Sequence, residues 1–452
     1  MMNGAVSVWR QRIGYGAADF SCNLVWQMIG LYLMFYYTDV VGIAAAQVSL
    51  LFLLTRIIDG VADVLMGIII DKTNTKWGKS RPYFLYGAIP FALLGILAFY
   101  VPDVGAASKL LYAYITYTGL SIAYTMVNIP LASILPSMTS DPQERTMLAT
   151  VRIIFALFGS TAVSVLTMPM VNSLGNGSQA KGFFWTMVIF SVIACFLFFY
   201  TFRNVREKVV VQAEKTTVKQ ALSTLKGNKP YYVFAVNILF MWGAYFFQQG
   251  ALIYYLTYNL DRADLVALIA GIGSFVPIVG TILTPIIAKK MYKRTLFMIS
   301  SAVNLAGLFI MLAAGGNISI LIAGAVVSAI GHGARQSIYF SMQADPVDYG
   351  EWKTGINAAG ILSALNGFIG KVTMAIAGAV FGMMLTWGNY VPNESQTKEA
   401  LLAIKMGYLI IPAVCVIISM IIMRFYNLDK IYPQIRAEID ARTKAQTEEE
   451  AV

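Results

Sequence analysis

Histidine occurs once in this 452-residue chain, at His332, and cysteine three times, at Cys22, Cys195 and Cys415. A single histidine gives no second imidazole for a zinc site. Three cysteines set singly in apolar stretches, without a CxxC spacing, argue against disulfides and a redox pair. Charge is scarce as well: 12% of residues are Asp, Glu, Lys or Arg against 58% hydrophobic, and the mean hydropathy is +0.66. A water-soluble domain carries about a quarter of its residues charged, so a soluble globular protein is excluded. No HExxH, GxSxG or GxxxxGKS run occurs, which removes zinc or serine hydrolysis and phosphate-loop ATP use from the readings.

What fills the chain instead is helix-length apolar sequence. A bilayer core of about 30 Å takes roughly 20 apolar residues to cross, and the backbone inside it must hydrogen-bond to itself. Twelve such stretches are expected, at 14–38, 45–70, 82–101, 109–133, 148–171, 183–202, 231–257, 264–287, 296–314, 317–342, 357–387 and 403–426. The fold class is therefore an all-α membrane protein of twelve transmembrane helices in two six-helix bundles. The first stretch is too long for a signal-peptide core and lacks a small-residue cleavage site, so it is expected to stay as the first helix.

The net charge of +10 reports orientation. Lys72, Lys76, Lys79 and Arg81 lie in the second loop, Arg203, Arg206, Lys208, Lys215, Lys219, Lys226 and Lys229 in the sixth, and Lys289, Lys290, Lys293 and Arg294 in the eighth. The odd loops, around Asp39, Asp103 and Asp261, are nearly free of cations. The positive-inside bias then places both termini in the cytoplasm of a multi-pass protein of the cytoplasmic membrane. Its basic loops face anionic lipid headgroups, and nucleic acid is not an expected partner. The one long polar break, 203–229, divides the chain into an N-terminal bundle (1–202) and a C-terminal bundle (230–427), with a cytoplasmic tail at 428–452. Basic tight loops at equivalent places in the halves fit a transporter whose site lies between two repeats.

Polar groups at membrane depth point to what is carried. In RIIDGVAD, Arg56, Asp59 and Asp63 share one helix face. Two carboxylates a turn apart either make a structural ion pair with one to spare or share a proton or metal cation, since each raises the other's proton affinity. Asp19 and Asn23 are one turn apart near Trp26 and Gln27; Asp19 either bonds a neighbouring helix or belongs to the pathway. Asn23 both donates and accepts, as a sugar hydroxyl requires. Tyr124, Thr125 and Asn128 precede Pro130, which frees a backbone carbonyl and bends the helix. Arg152, Arg335 and Lys371 add three interior cations; Arg152 binds substrate or snorkels to the interface, and Lys371 binds directly or locks the bundles through an aspartate. Tyr245, Gln248 and Gln249 combine aromatic faces with amides, either a carbohydrate cradle or an interfacial belt.

The runs LYLMFYYTDVVG (31–42), RIIDGVADVLMG (56–67), WGKSRPY (77–83), TMVNIP (125–130) and ADPVDYGEWKTG (344–355) resemble the glycoside, pentoside and hexuronide cation symporters of the major facilitator superfamily, which include melibiose permease. The resemblance implies a coupling cation at Asp59 and Asp63 with Thr125 beside them. It implies sugar ligation at Asn23, Asn128 and Arg152, and a cavity lysine at Lys371. Asp19, Gln249 and Arg335 complete the expected substrate set. Melibiose permease has acids where this chain has Asn23 and Asn128, and an aromatic at Ala132, which argues against galactosides. It also has an asparagine of its sodium site at Ala62; one oxygen fewer leaves sodium less completely coordinated and favours a proton. The runs YAYITYTGL, VNIP and STLKGNKP are closest to glucuronide and pentoside carriers, and the three cations suit an anionic sugar.

The expected function is uptake of a glycoside, possible anionic sugars included, coupled to a monovalent cation, H+ or Na+, with no cofactor and no enzymatic reaction. A metal at Asp59 and Asp63 is expected only with sodium coupling. The rival readings are a lysolipid carrier of the same fold, marked by a lateral apolar cleft, and a membrane sugar sensor that transports nothing.

Overall fold

A computed structural model describes residues 7–139, 141–207, 218–288, 290–356 and 358–450. Lys208 and Lys215 of the expected linker, and Lys289 of the basic run, lie outside the described residues. Among them the regular structure is helical, joined by turns and loops, with one isolated bridge between Thr75 and Gly78. Ten described helices are long and apolar enough to cross a membrane: Arg81–Ala98, Ala106–Ser133, Met147–Gly175, Gln179–Asn204, Lys229–Asn259, Ala263–Ala288, Lys293–Ala313, Ile318–Thr354, Ile361–Trp387 and Lys398–Met423. They coincide with the last ten expected stretches. The first two expected stretches are helical as well, as Val8–Met28 and Ala45–Lys72. These two carry Asp19 and Asn23, and Arg56, Asp59 and Asp63.

Local chemistry sets where several helices start and bend. Ser7, Ser178 and Asn317 cap their helices by accepting backbone N–H groups at the first turn. Gly355 ends Asp345–Thr354 at φ 70°, a conformation other residues adopt with strain. The first helix widens into π-turns at Ile29–Leu33 and Tyr36–Val40 before the chain turns, a local widening that recurs at functional sites.

The residues form two compact units. The first comprises Met1–Gln212, Gln249–Ser274 and Gly378–Lys405. Within it Val8–Met28 packs on the Pro142–Gly175 and Gln179–Asn204 helices. Gly182 lets those last two helices approach each other closely, because a Cβ on it would enter the Val171 backbone. The basic turn WGKSRPY is held by one carboxylate: Glu207 accepts from the backbone N–H groups of Lys79 (2.9 Å), Ser80 (2.8 Å) and Arg81 (3.1 Å). Arg81 in turn donates to the carbonyls of Trp77 and Phe202. Three amides on one carboxylate fix a loop whose side chains are otherwise mutually repulsive.

At the far end of the first helix, Asp39 is buried and takes hydrogen bonds from Thr38, Tyr258 and Tyr390. Asn393 donates to the Asp39 carbonyl at 2.7 Å, and Thr38 bonds the Tyr254 hydroxyl at 2.7 Å. This joins the end of the first span to residues more than 200 positions along the chain.

The second unit comprises Ala213–Gln248, Phe275–Ala377 and Met406–Val452. Lys293–Ala313 and Ile318–Met342 pack through small residues. A Cβ on Gly307 would meet Ser328, and one on Gly331 would meet the Asn304 backbone. The Asn304 amide donates to the Ser328 carbonyl (2.9 Å) and hydroxyl (2.8 Å) across that contact. After the last span the chain folds back onto the ADPVDYGEW run. Tyr432 donates to Asp348 (2.7 Å), and Trp352 donates its indole N–H to Glu438 (2.6 Å).

Candidate functional site

Three sequence-expected residues meet in the first unit. Asp59 and Asp63 lie one turn apart on Ala45–Lys72, and Thr125 reaches them from Ala106–Ser133. Its hydroxyl is 3.1 Å from Asp59 Oδ1 and 2.9 Å from Asp63 Oδ1. A hydroxyl carries one hydrogen, so it donates to one carboxylate at a time. The other oxygen–oxygen contact is balanced when a carboxyl is protonated or a cation lies against the three oxygens.

Arg56 gives the pair its asymmetry. Its Nη1 donates to Asp59 Oδ2 at 3.3 Å and its Nη2 to the Tyr117 hydroxyl at 2.9 Å. The Arg56 and Asp59 side chains are 3% and 0% exposed, whereas Asp63 is half-buried. Arg56, Asp59 and Asp63 together carry formal charge −1, which one monovalent cation neutralises. The guanidinium also lies over the Trp26 ring, 4.7 Å from its centroid.

Trp26 leads to a second cluster. It stacks on Tyr124 with ring centroids 4.6 Å apart, and Tyr124 lies within electrostatic reach of Asp59, Asp19 and Arg152. Arg152 Nε donates to Asp19 Oδ2 at 2.6 Å, and its Nη1 to the Tyr15 hydroxyl at 3.3 Å. The Asn23 amide donates to Asp19 Oδ1 (3.2 Å) and to the Asp19 carbonyl (2.8 Å). Asp19 thus bonds across to a neighbouring helix while lying beside the expected sugar ligands. Asn128 is half-buried one turn beyond Tyr124. Gln27 donates to Ser164, which bonds Ser274 at 2.8 Å, extending the polar line.

The remaining expected substrate residues lie elsewhere. Gln249 belongs to the first unit, while Arg335 and Lys371 belong to the second. Arg335 is buried: its Nη2 is 3.4 Å from His332 Nδ1, and its Nε and Nη1 have no hydrogen-bond partner among the described residues. His332 stacks on Tyr245 at 5.1 Å with 9° between the rings, a structural use for the lone histidine. Lys371 is half-buried.

Sequence reading passed over Tyr15, Tyr117 and the Asp39 cluster. Tyr15 and Tyr117 carry no pattern that separates them from the chain's 25 tyrosines. Asp39 had a signal, an acid directly after an aromatic apolar run, but its partners Tyr258 and Tyr390 are legible only once the chain is folded.

Known proteins are similar to the chain over nearly its whole length. The family described as MFS/sugar transport protein matches residues 14–430. The "Isoprimeverose transporter" of Lactiplantibacillus pentosus is 40% identical, with 96% of this chain and 92% of that protein covered. The "Glucuronide carrier protein homolog" of Escherichia coli is 32% identical, with 98% of each covered. The "Inner membrane symporter YicJ" of Escherichia coli is also 32% identical, with 94% of each covered. Among solved structures, a D-xylose-proton symporter has a TM-score of 0.66 at 13% identity, covering 94% of this chain and 98% of its own. The nucleoside transporter NupG has a TM-score of 0.67 at 15% identity, covering 92% and 99%; both show the fold alone. The matching relatives are transporters and symporters, not enzymes. On this full-length similarity the chain belongs to the MFS/sugar transport protein family.

Proposed function

We propose that this sugar transporter is a symporter of the cytoplasmic membrane that couples entry of a glycoside to a monovalent cation, H+ or Na+, by alternating access. The Thr125 hydroxyl set between two carboxylates carries the reading. That arrangement is complete with one positive charge bound, and it is tied through Arg56, Trp26 and Tyr124 to the Asp19, Asn23 and Arg152 cluster. A cation on Asp59 and Asp63 lowers the cost of enclosing their excess charge away from water, so the loaded carrier closes more readily than the empty one. By reciprocity, sugar tightens cation binding by the same factor as cation tightens sugar binding.

The substrate residues in this reading are Asp19, Asn23, Asn128 and Arg152, with Gln249, Arg335 and Lys371 as the expected contributors from later helices. The Asp39 cluster binds the first span to the segments at Tyr258 and Tyr390, at the end of that span which this reading puts on the non-cytoplasmic side.

Counterflow in proteoliposomes, with a panel of neutral and acidic glycosides, tests the proposal when run with and without sodium at several pH values. Cation-dependent exchange of at least one glycoside is expected. Exchange unaffected by both sodium and pH overturns it.

A further inference from the structure

Arg152, Arg335 and Lys371, counted along the sequence, suit an acidic sugar; the surroundings of the two arginines in the fold favour a neutral one. Arg335 is 1% exposed, with Nε and Nη1 unbonded among the described residues, so it reaches a substrate only after a rearrangement of this conformation. Arg152 is different. Its side chain is 27% exposed, and it shares the Asp19 carboxylate with Asn23, one of the proposed sugar ligands.

Arg152 already holds its counter-ion. Asp19 Oδ2 sits 2.6 Å from its Nε, and the other Asp19 oxygen takes the Asn23 amide. Both carboxylate oxygens are thereby committed, and the Asp19 side chain is 13% exposed. The pair Asp19–Arg152 is formally neutral but keeps strong donors on the guanidinium. A sugar hydroxyl can accept from those donors at no net change of charge. A substrate carboxylate or sulfonate would put a second anion on a guanidinium that serves one, in a setting where like charges are weakly screened.

We infer that Asp19 sets the substrate class: by compensating Arg152 in advance, it makes the site select uncharged glycosides and exclude those bearing an acidic group. Asp19 acts as a positioning and charge-setting residue, and the sugar contact belongs to Arg152. The inference rests on the symporter reading, but it fails separately from it.

The test compares two sugars that differ only at C6, methyl glucoside and methyl glucuronide, as competitors in cation-dependent counterflow by the full-length protein. The wild type is expected to prefer the glucoside. Asp19→Asn keeps the shape and an acceptor for Arg152 while removing the charge. It should shift the glucuronide-to-glucoside ratio about ten- to a hundred-fold toward the acid, the range a charge-assisted hydrogen bond supplies. Asp19→Glu should keep the neutral preference. The double variant Asp19→Asn with Arg152→Gln should lose the acid preference again, which a merely structural role for Asp19 does not explain.

Wild type that prefers glucuronide overturns the inference, as does Asp19→Asn that changes both sugars equally. If Asp19→Asn fails to fold, the wild-type competition and Asp19→Glu still decide. Absence of cation-dependent transport for either sugar, or any other glycoside, counts instead against the symporter reading.

Discussion

The two acids of the Ala45–Lys72 helix should respond unequally to the same substitution. Asp59 is fully buried, and its Oδ2 accepts from an Arg56 that is itself buried. Asp59→Asn strips the guanidinium of that counter-charge at a depth where water cannot replace it. Removing one member of a buried pair costs about 3–5 kcal/mol, largely the cost of the charge left behind. Asp63 is half-buried, and Asp63→Asn leaves Arg56 and Asp59 matched at zero net charge. Its cost should be about 1 kcal/mol or less.

The assays are thermal unfolding of the purified protein, sugar counterflow without an ion gradient, and uptake driven by one. Asp63→Asn should unfold within a few degrees of wild type, retain exchange and lose gradient-driven accumulation, because the bound cation's charge is now permanently supplied. Asp59→Asn should be clearly destabilised. Adding Arg56→Gln should restore most of that stability, since replacing both charges removes the orphan. The reasoning is refuted if Asp59→Asn is as stable as wild type, or if Asp63→Asn accumulates sugar against its gradient.

Three further outcomes follow from the same geometry. Thr125→Val keeps the shape but removes the shared hydroxyl, and apparent cation affinity in counterflow should fall about 10- to 100-fold, the usual effect of losing a group that orients ligands. Asp39→Ala deprives the Tyr258 and Tyr390 hydroxyls of their common acceptor. Both hydroxyls belong to half-buried residues, so the cost should lie at the low end of the about 1–3 kcal/mol for a buried group left unbonded; a modest loss of thermal stability is expected, and an unchanged midpoint would show that water serves those hydroxyls equally well. Gly331→Leu drives a side chain into the Asn304 backbone and should cost about 1–3 kcal/mol or more. Gly367→Leu, where a Cβ meets nothing within 4 Å, is the control measured beside it by the same unfolding assay.

Much of the site was legible because spacing along a helix is geometry. Asp59 and Asp63 four residues apart, and Asp19 and Asn23 four apart, must share faces whatever surrounds them. That Thr125 would bridge the first pair came only from the family resemblance, since nothing in residues 106–133 says which turn of that helix faces Asp59. The pairing of Arg152 with Asp19, 133 positions apart, was likewise out of reach. A bond to a neighbouring helix and a place among the expected sugar ligands are compatible for Asp19, which bonds Arg152 of another helix and the Asn23 amide at once.

The sequence by itself determined that the chain is helical and embedded in a membrane, because apolar stretches of helix length leave the backbone no other way to satisfy its hydrogen bonds. It also determined which few ionisable groups lie at depth, since each one interrupts an apolar run. Only the tertiary structure decided how those charges cancel: Arg56 against Asp59, Arg152 against Asp19, and Arg335 enclosed beside His332. Counting cations along the chain suggests a site for anions, but electrostatic energy depends on the distance between charges and on what lies between them. Those are properties of helix packing, which no residue carries alone.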